Sequence, residues 1–382
     1  MRANIQNYLP GWYRYFAEAL CRCFHSPKVR TWLLPLPHHQ GAFKLPLKVL
    51  AAVEKATWDH PGTGFLPGEG DILVLPDAYW SQPDIWPAVA SARKNGAFVV
   101  SLVHDLIPLT HPQFVKKGSL TVFLDYVRQF ATHSDLIVTV SSTIRDTLVE
   151  ELPKLFPGED ICTDIRASRN GAELGNVSGE VRQEIKDLFV DQDNAPYIMV
   201  STFDPRKNHA YALDAFDQLW EASGDQKLCL IGGVTRLCKD VIQRIENHPL
   251  YQSKLFAIYD ATDSELSYCY EKSRAAVFPS IVEGFGLPIA EAQWYGKHVF
   301  ASDTPIHREV GGTECSYCAL DDPGDLARQI AAWDAGIGKN PPPRRKSITP
   351  TTWRESSELL LKHCLDGYND QQNRRVQSRI AA

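Results

Sequence analysis

The stretch Phe278-Pro-Ser-Ile-Val-Glu-Gly-Phe-Gly-Leu-Pro-Ile-Ala-Glu291 decides the fold of this chain of 382 residues. At its centre a short glycine loop opens a predicted helix, because Gly284 and Gly286 allow positive φ and a close approach of the backbone to a ligand. Pro288 suits the first position of that helix, and Gly296 suits its end. The free backbone N–H groups and the positive dipole end at the helix start favour a phosphate-like anion.

Two carboxylates frame this loop. Glu283 precedes it directly, and Glu291 lies about one turn into the predicted helix. Since carboxylates repel phosphate, we expect them to bind hydroxyl groups beside the anion, such as those of a ribose and a hexose. The stretch therefore predicts a site for a sugar attached to a nucleoside diphosphate.

The composition is that of an ordinary globular protein, with 44% hydrophobic and 23% charged residues. A chain of this length usually forms two domains. The net charge of −6 argues against nucleic acid as a partner. Nine cysteines without a disulfide framework predict reduced thiols and a cytoplasmic protein. We expect neither a membrane-spanning segment nor a signal peptide.

Apolar strand-like runs alternate with helical segments, which predicts an α/β fold with parallel sheets covered on both faces. A turn signal at Asn170-Gly171 lies in residues 168–194, which lack a strong strand, so we place the domain boundary there. A helix is predicted at 84–95, another at 118–132, a third capped by Ser142, and a final one near 353–365. The predicted strands are 71–76, 97–104, 136–141, 197–202, 227–231, 255–259, 275–279 and 299–302.

Polar loops follow several of these strands and should converge, since open α/β sheets bind ligands beyond the carboxyl ends of their strands. His104-Asp105 ends a strand of the first half, and Asp204-Pro-Arg-Lys207 follows the first strand of the second half. Arg206 and Lys207 are well placed to neutralise a diphosphate. Gly232-Gly233 is a weaker signal that is also explained by a simple turn.

Three other patterns favour a structural interpretation. The aromatic and basic stretch at 12–30 predicts a core-facing helix, with an interfacial membrane helix as the alternative. Cys315 and Cys318 have C-x-x-C spacing but no second pair, so we interpret them as structural. Tyr79 and Trp80 are expected to pack in the core, although an aromatic ring there could also stack on an acceptor sugar.

Taken in order, several segments resemble one family. The 283–291 stretch looks like the E-x7-E signature of retaining GT-B glycosyltransferases of family 4. The Asp-Pro-Arg-Lys-Asn turn at 204–208 is similar to the phosphate-binding turn of its mannosyltransferase-like branch. Further resemblances lie at 11–15, 103–112, 134–141 and 301–312, so that they cover most of the chain.

This resemblance implies two Rossmann-like domains facing a cleft. Residues 1–175 would form the acceptor-side domain and residues 190–345 the nucleotide-sugar-binding domain, with a C-terminal helix at 353–370 packing back on the first. It also implies a reaction without a metal or another cofactor. Relatives usually begin with a strand before the glycine loop, whereas only ten residues precede Gly11 here.

The resemblance also assigns roles to individual residues. Glu291 would bind the donor ribose, Glu283 the donor sugar, and Lys207 the leaving diphosphate. Many relatives carry an arginine where this chain has Thr202, so Arg206 would share the phosphate role. The implied catalytic residues are Glu283, Lys207 and His104; the donor-binding residues are Thr202, Arg206, Lys207, Gly284, Phe285, Gly286, Leu287 and Glu291; the acceptor-side residues are Gly11 and Asp105.

The first hypothesis is therefore a cytoplasmic retaining glycosyltransferase. It would move a hexose, mannose or a rhamnose-type sugar, from a GDP-linked donor to a polysaccharide or a lipid-linked glycan, with peripheral contact to the membrane. Two alternatives stay open. One is a GT-B sugar-nucleotide epimerase or hydrolase, and the other is a catalytically degenerate GT-B subunit that binds a partner.

Overall fold

The computed structural model describes residues 66–174, 179–235, 237–337 and 350–381. Strands and helices alternate along these residues and build two separate sheets. All strand pairs within the two sheets are parallel. The predicted α/β class with parallel sheets is confirmed.

The first sheet has four described strands, hydrogen-bonded in chain order, and helices in the connections. All residues of its two central strands are buried, which explains their continuous apolar runs. The strands are β1 (Ile72–Leu75), β2 (Phe98–Val103), β3 (Leu136–Thr139) and β4 (Ile165–Ala167). The helices are α1 (Trp86–Lys94), α2 (Ile107–Thr110), α3 (Ser119–His133) and α4 (Ser142–Leu155).

The second sheet has six described strands in the order β10-β9-β8-β5-β6-β7. Its strands are β5 (Tyr197–Val200), β6 (Leu228–Ile231), β7 (Leu255–Ile258), β8 (Ala276–Phe278), β9 (Val299–Ser302) and β10 (Cys315–Cys318). Its helices are α5 (Gln183–Leu188), α6 (His209–Glu221), α7 (Lys239–Glu246), α8 (Asp263–Lys272), α9 (Leu287–Trp294), α10 (Pro305–Gly311) and α11 (Pro323–Ile337).

The strand order of this second sheet reverses at β5. From β5 the chain proceeds outward through β6 and β7, then returns to place β8 on the other side of β5. Such a reversal opens a crevice at the carboxyl ends of the two central strands, where ligands of open α/β sheets bind. The loops after β5 and β8 are therefore the place to look for a site.

The final helix, α12 (Trp353–Ala381), returns to the first sheet. Its Tyr368 ring meets Phe98 of β2 edge-on at 6.0 Å between centroids. The side chain of His363 is hydrogen-bonded to the carbonyl of Ala167 at 3.1 Å. A Cβ on Gly367 would lie 3.0 Å from Phe98, so a glycine allows this helix to pack closely on the sheet. No described helix is long and apolar enough to cross a bilayer.

The element bounds differ from the sequence predictions in a few places. The predicted strands all exist, with ends within two residues of the observed ones. Ser141, not Ser142, caps α4, since its hydroxyl accepts a hydrogen bond from the Ile144 N–H at 3.2 Å. Pro288 is the second residue of α9 rather than the first. The last helix continues to Ala381, because the polar residues beyond 365 contain no proline to stop it.

Strand β4 and helix α5 are two of the short elements that the sequence did not predict. Strand β4 has only three half-buried residues with Arg166 at its centre, so its apolar signal is too short to detect. Helix α5 has six residues and buries only Ile185. It lies in the 168–196 stretch that separates the two sheets along the chain.

Candidate functional site

The loop after β5 forms a tight cationic turn. Residues Pro205–Lys207 make one turn of 3-10 helix, and the Asp204 carboxylate accepts a hydrogen bond from the Arg206 N–H at 3.1 Å. Asn208 then adopts a left-handed conformation, φ 61°, and α6 begins. The Arg206 carbonyl accepts a hydrogen bond from the N–H of Ile281 at 2.8 Å, which fastens this turn to the loop after β8.

Glu283 lies at the centre of a buried cluster of charges. Its Oε1 accepts a hydrogen bond from Lys207 Nζ at 2.5 Å and another from the Ser280 hydroxyl. Its Oε2 accepts from Arg206 Nη1 at 2.8 Å. Glu283 is 9% exposed and Lys207 7%. The sequence predicted these three charged residues from two separate loops, and the structure brings them together.

The cluster sets the ionisation of its members. Burial alone would raise the pKa of Glu283, but the positive charges of Lys207 and Arg206 hold it below its ordinary value. Burial lowers the pKa of Lys207, and the nearby Glu283 opposes that effect. Asp204 lies 3.8 Å from Arg206 Nε, so the two cations face two carboxylates and the formal charges of the turn balance. The positive end of α9 adds the local field that favours an anion beside these cations.

The two glycines of the signature loop play different roles. Gly286 has φ +95° and precedes α9, as predicted. Gly284 does not have positive φ, so that part of the prediction is wrong. Gly284 is needed for space instead, because a Cβ there would lie 1.9 Å from the carbonyl oxygen of His104.

Glu291 is in a different environment from Glu283. Its Oε2 accepts a hydrogen bond from the Tyr270 hydroxyl at 2.7 Å. Burial raises the pKa of Glu291 to about 7, while Tyr270 and the charge of Lys207 act in the opposite direction. One glutamate is thus held as a carboxylate, and the other is close to half-ionised at neutral pH.

The charge cluster lies within residues 180–333, and this segment matches the family model Glycosyl transferases group 1. The chain carries a group 1 glycosyltransferase domain. The described fold also has counterparts among solved structures. The apo structure of OtsA superimposes with a TM-score of 0.59 at 16% identity, over 92% of this chain and 83% of that one. This likeness establishes the predicted GT-B fold.

Two curated relatives of the glycosyltransferase domain are mannosyltransferases. The chain is 30% identical over 300 residues to the serotype-specific mannosyltransferase WbdA of Escherichia coli, a match over 77% of this chain and 37% of WbdA. It is 26% identical over 222 residues to the O-antigen chain mannosyltransferase RfbU of Salmonella typhimurium, over 58% of this chain and 56% of RfbU. The chain therefore covers less than two thirds of the length of either relative.

The first sheet supplies two of the predicted residues to the edge of the glycosyltransferase domain. His104 follows β2, with its ring hydrogen-bonded to the carbonyl of Pro76 at 2.9 Å and its own carbonyl against Gly284. Asp105 accepts a hydrogen bond from the Ile107 N–H at 3.0 Å and so supports the start of α2.

The remaining predicted residues are less closely tied to the cluster. Thr202 is exposed directly after β5. Phe285 is buried, and Leu287 begins α9 behind Gly286. Gly11 lies outside the described residues, as does the aromatic stretch at 12–30.

Two side chains that the sequence did not suggest join the first sheet to the glycosyltransferase domain. The Ser141 hydroxyl donates a hydrogen bond to the carbonyl of Gly284 at 2.9 Å. The Glu309 carboxylate accepts hydrogen bonds from the N–H groups of Ser142 and Thr143 at 2.7 and 2.8 Å, and from the Thr143 hydroxyl at 2.6 Å. A carboxylate from α10 therefore caps α4, where the helix dipole favours negative charge.

Replacing Glu309 by glutamine is expected to destabilise the protein by about 1.5–3 kcal/mol, because the amide nitrogen cannot accept hydrogen bonds from α4. Urea unfolding would measure this change. Glu150→Gln is the matched control, since Glu150 lies on the exposed face of α4 and pairs only with Lys154 among the described residues. Equal effects of the two substitutions would contradict the role of Glu309 as a cap between the two parts of the chain.

The signals that could have revealed the missed residues are weak. Ser280 lies three residues before Glu283 in the same loop, so its proximity to the carboxylate was within reach of the sequence. Ser141 and Tyr270 contact Gly284 and Glu291 across 143 and 21 residues, respectively, and Glu309 contacts the start of α4 across 166 or more residues. Such contacts depend on how the helices and strands pack, and no local sequence pattern predicts them.

The other candidate patterns have structural roles. Cys315 and Cys318 are free thiols on β10, and burial raises the pKa of each to about 12. Trp80 packs edge-on against Phe123 at 6.4 Å between centroids. Gly232 does more than turn the chain, since a Cβ there would lie 2.1 Å from the carbonyl oxygen of Ser201. No group of three or more metal-ligating side chains lies together within the described ranges.

Proposed function

We propose that this protein is a metal-independent retaining hexosyltransferase of family 4 that uses a nucleotide-sugar donor. The observation that carries the proposal is the buried cluster of Arg206, Lys207 and Glu283 at the reversal point of the second sheet. Open parallel sheets bind ligands at such a reversal point, so in this proposal the diphosphate leaves there. The cations and the start of α9 supply the positive charge that stabilises it.

The proposed reaction exchanges one bond at the anomeric carbon for another on the same face of the sugar. The bond from this carbon to the diphosphate oxygen breaks, and the acceptor hydroxyl oxygen forms the new bond. The acceptor proton passes to an oxygen of the leaving phosphate. Glu283 is not the general base, because both of its oxygens are engaged and its pKa is lowered. Its role in the proposal is to orient Lys207 and Arg206 and to contact the donor sugar.

The names of the relatives support a proposal for the donor and the acceptor. WbdA and RfbU are named as mannosyltransferases, and RfbU as an O-antigen chain enzyme. We therefore favour a GDP-linked donor of mannose, or of a rhamnose-type hexose, and a polysaccharide or lipid-linked glycan as the acceptor. We further propose that the enzyme acts in the cytoplasm with peripheral contact to the membrane, where a lipid-linked acceptor would lie. His104 would line the pocket of the donor sugar from the first sheet, and Asp105 would face the acceptor side of the cleft.

The test is a calorimetric titration of GDP, UDP, ADP and dTDP into the purified protein. We expect one nucleotide to bind selectively, and Glu291→Ala and Lys207→Ala to weaken its affinity about ten- to hundredfold each, as loss of a hydrogen bond to a charged group does. Glu221→Ala is the control. Glu221 is the last residue of α6, about 18 Å along the helix axis from its first residue, His209, which follows the cationic turn.

The outcomes separate the hypotheses. Selective binding that both site variants weaken, with Glu221→Ala unchanged, supports the donor site and names the base. In a second assay, the sugar nucleotide of the base that binds is added without an acceptor, and its hydrolysis would favour the hydrolase alternative. Absence of binding by a well-folded wild type would contradict the proposal and favour a degenerate subunit.

A further inference from the structure

Tyr270 contacts the site without belonging to any of the predicted motifs. It lies on α8, is fully buried, and its hydroxyl donates a hydrogen bond to Glu291 Oε2 at 2.7 Å. Its ring stacks on Tyr295, with 5.5 Å between centroids and an interplanar angle of 6°. Tyr295 follows α9 and is hydrogen-bonded through its hydroxyl to Ser267 of α8 at 2.6 Å. Two hydrogen bonds therefore join α8 to α9 and the residue after it, one from Tyr270 to Glu291 and one between Ser267 and Tyr295.

In this arrangement one carboxylate oxygen of Glu291 remains available to accept a hydrogen bond from a ligand. Tyr270 occupies Oε2, and among the described residues Oε1 has no hydrogen-bond partner. The side chain is only partly buried, and the charge of Lys207 reaches its carboxyl group. Glu291 is therefore an oriented acceptor next to the cation cluster.

We propose that Tyr270 is a positioning residue for donor recognition. Its hydroxyl fixes the rotamer of Glu291 and stabilises its carboxylate form, so that Oε1 accepts a hydrogen bond from a hydroxyl of the nucleotide ribose. The inference rests on the proposed function, because it takes the ligand of Glu291 to be a nucleotide. It adds a residue from α8 to a site otherwise built from the loops after β5 and β8.

The electrostatics give this role a measurable signature. Burial raises the pKa of Glu291 to about 7, Asp263 of α8 adds to that rise, and the Tyr270 hydroxyl and Lys207 oppose it. Burial also raises the pKa of Tyr270 well above its ordinary value, so the phenol stays a donor. A carboxylate accepts a ribose hydrogen bond better than the neutral acid does. Nucleotide affinity should therefore rise with pH through about 7 and then level off.

The experiment measures GDP and UDP affinity between pH 5.5 and 9 for the wild type, Tyr270→Phe, Tyr268→Phe and Glu291→Gln. Tyr268 is the matched control, because it lies on the same helix, packs on Phe189 and has no hydroxyl partner in the described part of the chain. The phosphate of the nucleotide ionises in the affinity profile of every variant. Subtracting the profile of Glu291→Gln from each of the others therefore isolates the titration of Glu291.

We expect Tyr270→Phe to move the midpoint of that titration upward by about one pH unit, as loss of one hydrogen bond to the carboxylate predicts. Affinity at pH 7 should fall about five- to tenfold; the part of this loss due to ionisation should disappear above pH 9, and a smaller loss due to the less oriented carboxylate should remain. Tyr268→Phe should match the wild type. A uniform loss of affinity with an unchanged midpoint would mean that Tyr270 only packs, and would overturn the inference.

A measurement without ligand distinguishes this failure from failure of the proposed function. Because folding raises the pKa of Glu291, its contribution to stability is fully present below its unfolded pKa and is lost as the pH rises through about 7. Glu291→Gln should remove this slope in urea unfolding, and Tyr270→Phe should extend it to higher pH. If the slope is present but no nucleotide binds, the proposed function fails together with the recognition role. If nucleotide binds and Tyr270→Phe changes neither profile, the inference alone fails.

Discussion

Replacing Lys207 by methionine is expected to lower the rate of sugar transfer about 10²- to 10³-fold, the loss that follows removal of one preorganised charge-stabilising group. Methionine keeps the length and the apolar stem of the side chain and removes only its charge. The Lys207 ammonium is buried against Glu283 and lies 5.1 Å from the centre of the Phe278 ring. Because the group is fixed before the reaction, it needs little reorganisation when the diphosphate leaves.

The same substitution should also destabilise the fold. Removing one partner of a buried ion pair costs about 3–5 kcal/mol, and the remaining contact of Glu283 with Arg206 places the expected loss near the lower limit. A drop in activity could then be mistaken for partial unfolding. Two measurements are therefore required: urea unfolding, and a transfer assay at a temperature well below the thermal unfolding midpoint of the variant.

A double variant separates the two effects. In Lys207→Met/Glu283→Gln the buried carboxylate is neutral, so much of the lost stability should return, while transfer stays low because the cation is absent. Arg308→Met is a suitable control, since Arg308 is an exposed cation that pairs with Asp303 away from the cluster. If the double variant regained transfer along with stability, Lys207 would be a structural residue and not a catalytic one.

Much of the fold could be predicted because its strongest signals are local. Buried parallel strands appear as continuous apolar runs, as in Phe98–Val103 and Val299–Ser302, and both were found within two residues of their bounds. The reversal of strand order at β5 is not local, yet the βα alternation made a doubly wound sheet the natural expectation. The three-residue strand β4 was missed because an arginine interrupts its short apolar run.

The site was predictable as a set of loops but not as a set of contacts. Parallel sheets bind ligands beyond the carboxyl ends of their strands, and this rule predicted that Lys207 and Glu283 lie at one edge of the sheet. In the structure the two side chains are hydrogen-bonded there. The rule could not show that Tyr270 of α8 contacts Glu291 or that Glu309 of α10 caps α4, because those contacts depend on helix packing. The sequence also gave Gly284 the wrong role, since a glycine needed for φ and one needed for space look identical in a sequence.

Gly284→Ala is the second substitution with a large expected effect. The added Cβ would lie 1.9 Å from the carbonyl oxygen of His104 and 2.9 Å from the Cβ of Asp105. The first of these neighbours is backbone, which cannot rotate aside, so the signature loop and the loop after β2 must separate by more than 1 Å. The hydrogen bond from Ser141 to the Gly284 carbonyl would be strained by the same movement. A displacement of this size at a catalytic loop costs about 10²-fold in rate.

Gly233→Ala provides the control for this steric argument. Gly233 follows β6 in the same sheet, has ordinary φ, and has no atom within 4 Å of the position that a Cβ would take. We expect this variant to match the wild type in transfer and unfolding, whereas Gly284→Ala loses at least about 10²-fold in transfer and about 1–3 kcal/mol in stability. Nucleotide affinity should fall less than transfer, because the cluster of Lys207 and Glu283 lies within the second sheet alone. Normal transfer by Gly284→Ala would show that the contact between the two loops is dispensable, and that the two parts of the chain need not meet at His104 for the reaction.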